Sequence, residues 1–153
     1  MAAFRNPFSH KVMYSNERIE LVLSGRDETD SECGILDSYV FDIFLRNTRT
    51  RIGYISIRLG ESPQLYYLGH IGYRIQPPFR GNHYAVQACE LILPLLRRIA
   101  KSSIVITTDP DNTPSKKTCE KLGCILERTV PVPSAYRTVC NGSVQKTRFI
   151  WVM

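Results

Sequence analysis

The chain lacks any apolar run near the ~18 residues that a membrane span requires. Its opening residues, MAAFRNPFSHK, carry no apolar block of the signal-peptide kind, so a cytoplasmic setting is expected. Cysteine is sparse and badly spaced for metal or disulfide chemistry. Cys33, Cys89, Cys119, Cys124 and Cys140 are odd in number and form no CxxC. With only three histidines in the chain, they compose neither a disulfide framework nor a zinc site, and no metal is expected. Basic runs are missing too. Twenty Lys and Arg against fourteen Asp and Glu leave a net charge of +6. The cations are scattered as in Arg46, Arg49 and Arg51, or Arg97, Arg98 and Lys101. Scattered cations suit a solvated surface better than a nucleic-acid stripe, although the excess fits some anionic partner. Repeats, low-complexity tracts and linkers are also absent. The 153 residues therefore read as one domain, long enough to bury roughly 68–70% of its unfolded surface.

What is present is a change of hydrophobic period along the chain. Ile19–Leu23 predicts a short strand, followed by a polar, acidic loop over Ser24–Asp37. Tyr39–Leu45 and Ile52–Leu59 alternate and flank the turn Asn47-Thr48-Arg49-Thr50, which predicts a hairpin. The aromatic stretch Leu65–Ile75 reads as a third strand, stopped by Gln76-Pro77-Pro78. The period then becomes helical. Ala85, Ala88, Cys89, Ile92, Leu95, Leu96 and Ile99 form one apolar stripe between about Gly81 and Ala100, with a bend expected at Pro94. Ser103–Thr107 predicts a buried strand. Thr113-Pro114 opens a second helix, which Gly123 closes. Cys124–Val130 and Lys146–Val152 predict two last strands, and the sequon Asn141-Gly142-Ser143 between them serves as a turn. The sum is an α+β fold.

Two segments carry chemistry. In Gly72-Tyr73-Arg74-Ile75-Gln76-Pro77-Pro78-Phe79-Arg80-Gly81-Asn82-His83-Tyr84-Ala85, a strand turns directly into a helix. The first N–H groups of such a helix have no internal partner and favour an anion. Small residues at Gly81 and Ala85 allow a phosphate to approach the backbone. The second segment, Thr107 to Gly123, holds Asn112, Ser115 and Lys121-Leu122-Gly123. Together, from His70 to Arg128, the chain resembles the GNAT superfamily of acetyl-CoA-dependent N-acetyltransferases, in its ribosomal-protein and small-molecule branch. The family's phosphate loop runs Arg/Gln-x-x-Gly-x-Gly/Ala. Arg80 and Ala85 match its ends, and His83 stands where the internal Gly belongs. Asn112, Ser115 and the Lys-Leu-Gly ending match the later pattern.

The resemblance implies a mixed, mostly antiparallel sheet with a splayed strand pair, flanked by helices. It implies that main-chain groups of Tyr73, Arg74 and Ile75 bind the pantetheine arm of acetyl-CoA. Gly81, Asn82, His83, Tyr84, Ala85 and Val86 supply N–H groups to the pyrophosphate. Asn112 holds the pantetheine, and Arg80 with Lys116 or Lys117 neutralises phosphate charge. The reaction implied is direct attack of a primary amine, on a small molecule or peptide, upon the thioester through a tetrahedral intermediate.

Relatives place a Tyr acid seven residues after the Asn; Cys119 stands there in this chain. Cys119 is a candidate acid or a small core residue, and Ser115 a candidate partner of the thioester sulfur or a helix residue bonding its own backbone. His70 is the candidate base, from the central strand. On the acceptor side, the two helices usual in the family between the first two strands are replaced by Ser24–Ser38. Asp27, Glu28, Asp30 and Glu32 there either attract an amine or form a solvated loop. The acceptor wall is then a short loop, a partner subunit in a homodimer, or missing. The alternative to an enzyme is a non-catalytic acyl-CoA-binding or regulatory domain of the same fold. A membrane partner is not expected, and nucleic acid ranks last.

Overall fold

A computed structural model describes residues 11–27, 35–100 and 102–153. The N-terminal segment, Glu28, Asp30, Glu32, Cys33 and Lys101 lie outside the described residues. Eight strands form one sheet in the order β1-β2-β3-β4-β5-β6-β8-β7. In chain order they are β1 (Val12–Ser15), β2 (Ile19–Asp27), β3 (Ile35–Leu45), β4 (Arg51–Gly60), β5 (Ile71–Ile75), β6 (Ser103–Thr108), β7 (Ile125–Pro131) and β8 (Gln145–Val152). The helices are α1 (Pro63–Leu68), α2 (Tyr84–Leu91), α3 (Leu93–Ile99) and α4 (Thr113–Lys121). All neighbouring strands run antiparallel except β5 and β6. The expected α+β fold is what forms.

One sheet face builds the core. Register puts Leu21, Ile43, Phe41, Ile55, Ile57, Ile71, Ile106 and Phe149 on the same side. They bury against Ala88, Cys89 and Ile92 of the first helical stretch, Leu95 and Leu96 of the next, and Cys119 of α4. The hydrophobic stripe read from the sequence is therefore the packed face. Pro94 does more than bend the helix. The run breaks into α2 and α3 at Ile92, with Pro94 in the first turn of α3, where a missing N–H costs nothing.

Two expectations are corrected. The loop over Ser24–Asp37 is shorter than its polarity suggested, because β2 continues to Asp27 and β3 begins at Ile35. Cross-strand pairing overrides weak propensity here, with Arg26 stacking over the Tyr39 ring at 3.9 Å and ion-pairing with Asp37. The long third strand is also two elements. Ser62 caps α1 by accepting the Leu65 N–H at 3.0 Å, Pro63 starts the helix, and Gly69 at φ 80° ends it. Those signals outweigh the β-propensity of Tyr66 and Tyr67.

His70 sits between α1 and β5 as a brace. Its N–H donates to the Val105 carbonyl at 2.7 Å, and its Nδ1 accepts the Val105 N–H at 3.0 Å. A further hydrogen bond to the Gly60 backbone favours the charged ring, but burial outweighs it and keeps the His70 pKa below 6.5. In the unfolded chain the same group protonates near 6.5. The folded state thus resists a proton that the unfolded state accepts, and stability falls as pH drops below about 6.5. Urea unfolding between pH 8 and pH 5 should show this fall. His70→Gln should lower stability at pH 8 and flatten the dependence; an unchanged slope in that variant would exclude His70 as its source.

Candidate active site

β5 pairs with β4 along its whole length, but with β6 only at Ile71↔Ile106. Beyond that point the two strands diverge, and a cleft of about 930 Å³ occupies the gap between β5, the start of α2 and the start of α4. Its size lies within the usual range for small-molecule sites. Tyr73, Arg74 and Ile75 line it from the strand, and Arg80, Gly81, His83, Tyr84 and Ala85 from the turn and helix beyond.

The beginning of α2 has no side-chain cap. Tyr84, Ala85 and Val86 bear the N–H groups that a helix leaves unpaired, and the turn preceding them opens on the cleft. Gly81 has φ +87°, and a Cβ there would meet no atom within 4 Å, so the turn presents bare backbone. His83 takes φ 61° and ψ 27°, the left-handed conformation that glycine adopts freely. This explains the family's internal Gly in conformational terms. His83 keeps the geometry at the cost of some strain and still lines the cleft.

α4 has the opposite arrangement. Asn112 caps it, its Oδ1 accepting the Ser115 N–H at 3.3 Å, which leaves the Asn112 amide NH₂ as donor toward the cleft it lines. Ser115 does not bond its own backbone through its hydroxyl. That group lies 2.8 Å from the Tyr73 hydroxyl, which crosses from β5. Burial above all raises the Tyr73 pKa well beyond the ordinary phenol range, so Tyr73 stays protonated.

Charge in the cleft is mostly positive. Arg74, Arg80, Lys117 and Lys121 line it. Arg80 also donates to the Ile75 carbonyl at 2.8 Å, tying the turn to the strand end. The one acid among them, Asp109, is held ionised. Burial works against its charge, but hydrogen bonds from Ser143 and Lys146 outweigh it and lower its pKa.

Several expected site residues are not brought together. His70 is outside the cleft, with both ring nitrogens engaged as described. Cys119 is wholly buried. Gly123 ends α4 at φ +77°, the Cys124 N–H donates to the Cys119 carbonyl at 3.0 Å, and the Gly123 N–H donates to Glu120 at 3.0 Å. This pair of bonds is a Schellman motif, in which the residues at the Cys119 and Cys124 positions meet. The hydrogen bond with Cys124, then burial, pushes the Cys119 thiol far above its usual pKa. Asn82 instead holds the turn, donating to the Phe79 carbonyl at 3.1 Å, and the Val86 side chain is buried. Lys116 donates to the Pro110 carbonyl at 3.3 Å and is not a lining residue. The sequence reading missed Tyr54, Phe79 and Lys121. Helical spacing carried a signal for the lysines, since Thr113, Lys117 and Lys121 recur every fourth residue on one face, and Lys116 is rotated about 100° from it.

A profile of the acetyltransferase (GNAT) domain matches residues 7–125. The chain belongs to the GNAT acetyltransferase family. Solved structures share the fold. RimL, a ribosomal L7/L12 α-N-protein acetyltransferase in complex with coenzyme A, matches with TM-score 0.67 and 15% identity, over 94% of this chain and 98% of that one. A Salmonella typhimurium acetyltransferase that modifies the N-terminal serine of ribosomal protein L7/L12 matches at 0.63 and 16%, over 90% and 96%. The microcin C7 self-immunity acetyltransferase MccE, in complex with acetyl-CoA and AMP, matches at 0.60 and 18%. This chain covers 64% of the MccE chain, and 82% of its own length is matched. No curated protein sequence matches the chain. Among the described residues no helix is long and apolar enough to cross a membrane, and no group of His, Cys, Asp or Glu is arranged to hold a metal.

The strain at His83 is testable. His83→Gly should raise unfolding free energy by about 0.5–1 kcal/mol in urea titrations, relief of the left-handed strain exceeding the entropy that glycine adds to the unfolded chain. A loss of stability would show that the imidazole makes contacts worth more than the strain.

Proposed function

We propose that the protein transfers an acetyl group from acetyl-CoA to a primary amine of a small molecule or peptide, as a single domain working in the cytoplasm. The observation that carries this reading is the uncapped start of α2, opening on a cationic cleft beside a strand that leaves β6 beyond Ile71. Acetyl-CoA fits the residues present. The N–H groups after Gly81 would take the pyrophosphate, with Arg80, Lys117 and Lys121 supplying positive charge. Main-chain groups of Tyr73 to Ile75 and the Asn112 amide would hold the pantetheine.

In the reaction the amine nitrogen attacks the thioester carbonyl carbon, the C–N bond forms, and the C–S bond breaks with its electron pair passing to sulfur. A strand N–H supports the carbonyl oxygen as charge builds there. Ser115, which lines the cleft, would donate a hydrogen bond to the departing sulfur. The proton of the amine leaves through water at the cleft mouth, because the lowered pKa of Asp109 makes it a poor base and His70 lies elsewhere.

Isothermal titration calorimetry with acetyl-CoA tests the binding site. Gly81→Glu should abolish binding by setting a carboxylate in the phosphate cradle, with the circular dichroism spectrum unchanged; unchanged affinity would count against the cradle. Turnover with polyamines, amino acids and N-terminal peptides, followed by release of free thiol, tests the reaction. Binding without transfer to any of them would favour the non-catalytic acyl-CoA-binding reading.

A further inference from the structure

We infer that Tyr73 is a positioning residue for the Ser115 hydroxyl, fixing its proton toward the sulfur of the bound thioester. The inference rests on the acetyl-CoA reading above and adds a residue to it. Tyr73 shares a sheet face with Ile55 and Ile71, so its ring packs against the core while lining the cleft. Its hydroxyl emerges at the first turn of α4, 2.8 Å from Ser115 Oγ and 3.4 Å from the Ser115 carbonyl.

Either hydroxyl can donate in that short bond, and Tyr73 is assigned as the donor. The Ser115 N–H is already taken by Asn112, and the helix offers Ser115 no bond for its hydroxyl that competes with Tyr73 at 2.8 Å. The Tyr73 hydroxyl has the Ser115 carbonyl at 3.4 Å as another acceptor, a longer and weaker contact than Ser115 Oγ at 2.8 Å, so its proton goes to the serine oxygen. With Tyr73 donating to Ser115 Oγ, the serine proton is left to point elsewhere, and Ser115 lines the cleft. The serine then meets the cleft as a donor with a fixed direction. Without Tyr73 the hydroxyl is free to turn back to its own helix carbonyls, as serines in helices do.

The step remains balanced without any transfer from Tyr73 or Ser115. Both keep their protons and stabilise the developing thiolate by hydrogen bonding alone. The thiolate takes a proton from water on release, matching the one the amine has lost to water. Such a bond to a charged acceptor is stronger than one to the neutral thioester, so it favours the transition state over the ground state.

Titration of coenzyme A bound to the protein tests this without an acceptor. Thiolate absorbance in the ultraviolet is read against the same protein holding desulfo-coenzyme A, which cancels the protein's own ionisations. The bound thiol should titrate about one pH unit below free coenzyme A, the effect of one charge-assisted hydrogen bond. Tyr73→Phe and Ser115→Ala should each bring it back to the free value while calorimetric affinity stays within about twofold. In turnover, Tyr73→Phe should lower kcat about tenfold with KM for acetyl-CoA unchanged, and adding it to Ser115→Ala should cost nothing further. A bound thiol that titrates normally in the wild type overturns the inference, as does a Tyr73→Phe variant that keeps the lowering while Ser115→Ala loses it. Failure of coenzyme A to bind at millimolar concentration overturns the acetyl-CoA reading and this inference together, whereas normal binding with no lowering overturns only the latter.

Discussion

The cleft depends on the parting of β5 and β6. Parallel neighbours normally continue their ladder, yet these two meet at Ile71↔Ile106 and separate at once. At the start of β5, His70 ties the strand to β6, its N–H donating to the Val105 carbonyl and its ring Nδ1 accepting the Val105 N–H. At the far end, Gly53 lets β4 approach so closely that a Cβ there would lie 2.0 Å from the Arg74 carbonyl. β5 therefore follows β4 and leaves β6. The main-chain groups at its open edge lose their sheet partners, and an unpaired backbone group needs another one. A ligand with alternating amide groups, such as pantetheine, suits that edge.

Much of this was legible from residue patterns because the decisive signals were local. The helix stripe from Ala85 to Ile99, the hairpin around Asn47 and the turn from Ile75 into Gly81 all depend on neighbours in sequence. What was not legible required distant partners. Tyr66 and Tyr67 look like strand residues until the Ser62 cap, Pro63 and Gly69 are read together as punctuation. The extension of β2 and β3 into a polar stretch came from pairs such as Arg26 with Tyr39 and Asp37. His70 was read as a base because strand parity says nothing about β6, and it is β6 that claims the ring. Lys116 was preferred over Lys121 because nearness in sequence was taken for nearness in space. The contact of Tyr73 with Ser115, between residues 42 positions apart, had no sequence signal.

Charge makes the same division. The net +6 has no local expression in the sequence, but folding gathers Arg74, Arg80, Lys117 and Lys121 around one cleft, while several other cations are paired with acids. Arg46 meets Glu20, Arg51 meets Asp42, and Arg148, almost fully buried, is held by Glu127 and the face of Tyr66. The four cleft cations stand where an anionic coenzyme would lie. The exposed pairs among the others contribute little stability.

The substitution of Cys119 for the Tyr that relatives carry need not remove a hydroxyl from the site. Cys119 is small, and the Schellman turn at Gly123 draws it into contact with Cys124, away from the cleft. The Tyr73 hydroxyl lies against that same thiol before reaching Ser115. Cys119 therefore sits in the core, while Tyr73 and Ser115 are the hydroxyl-bearing residues that line the cleft on this side.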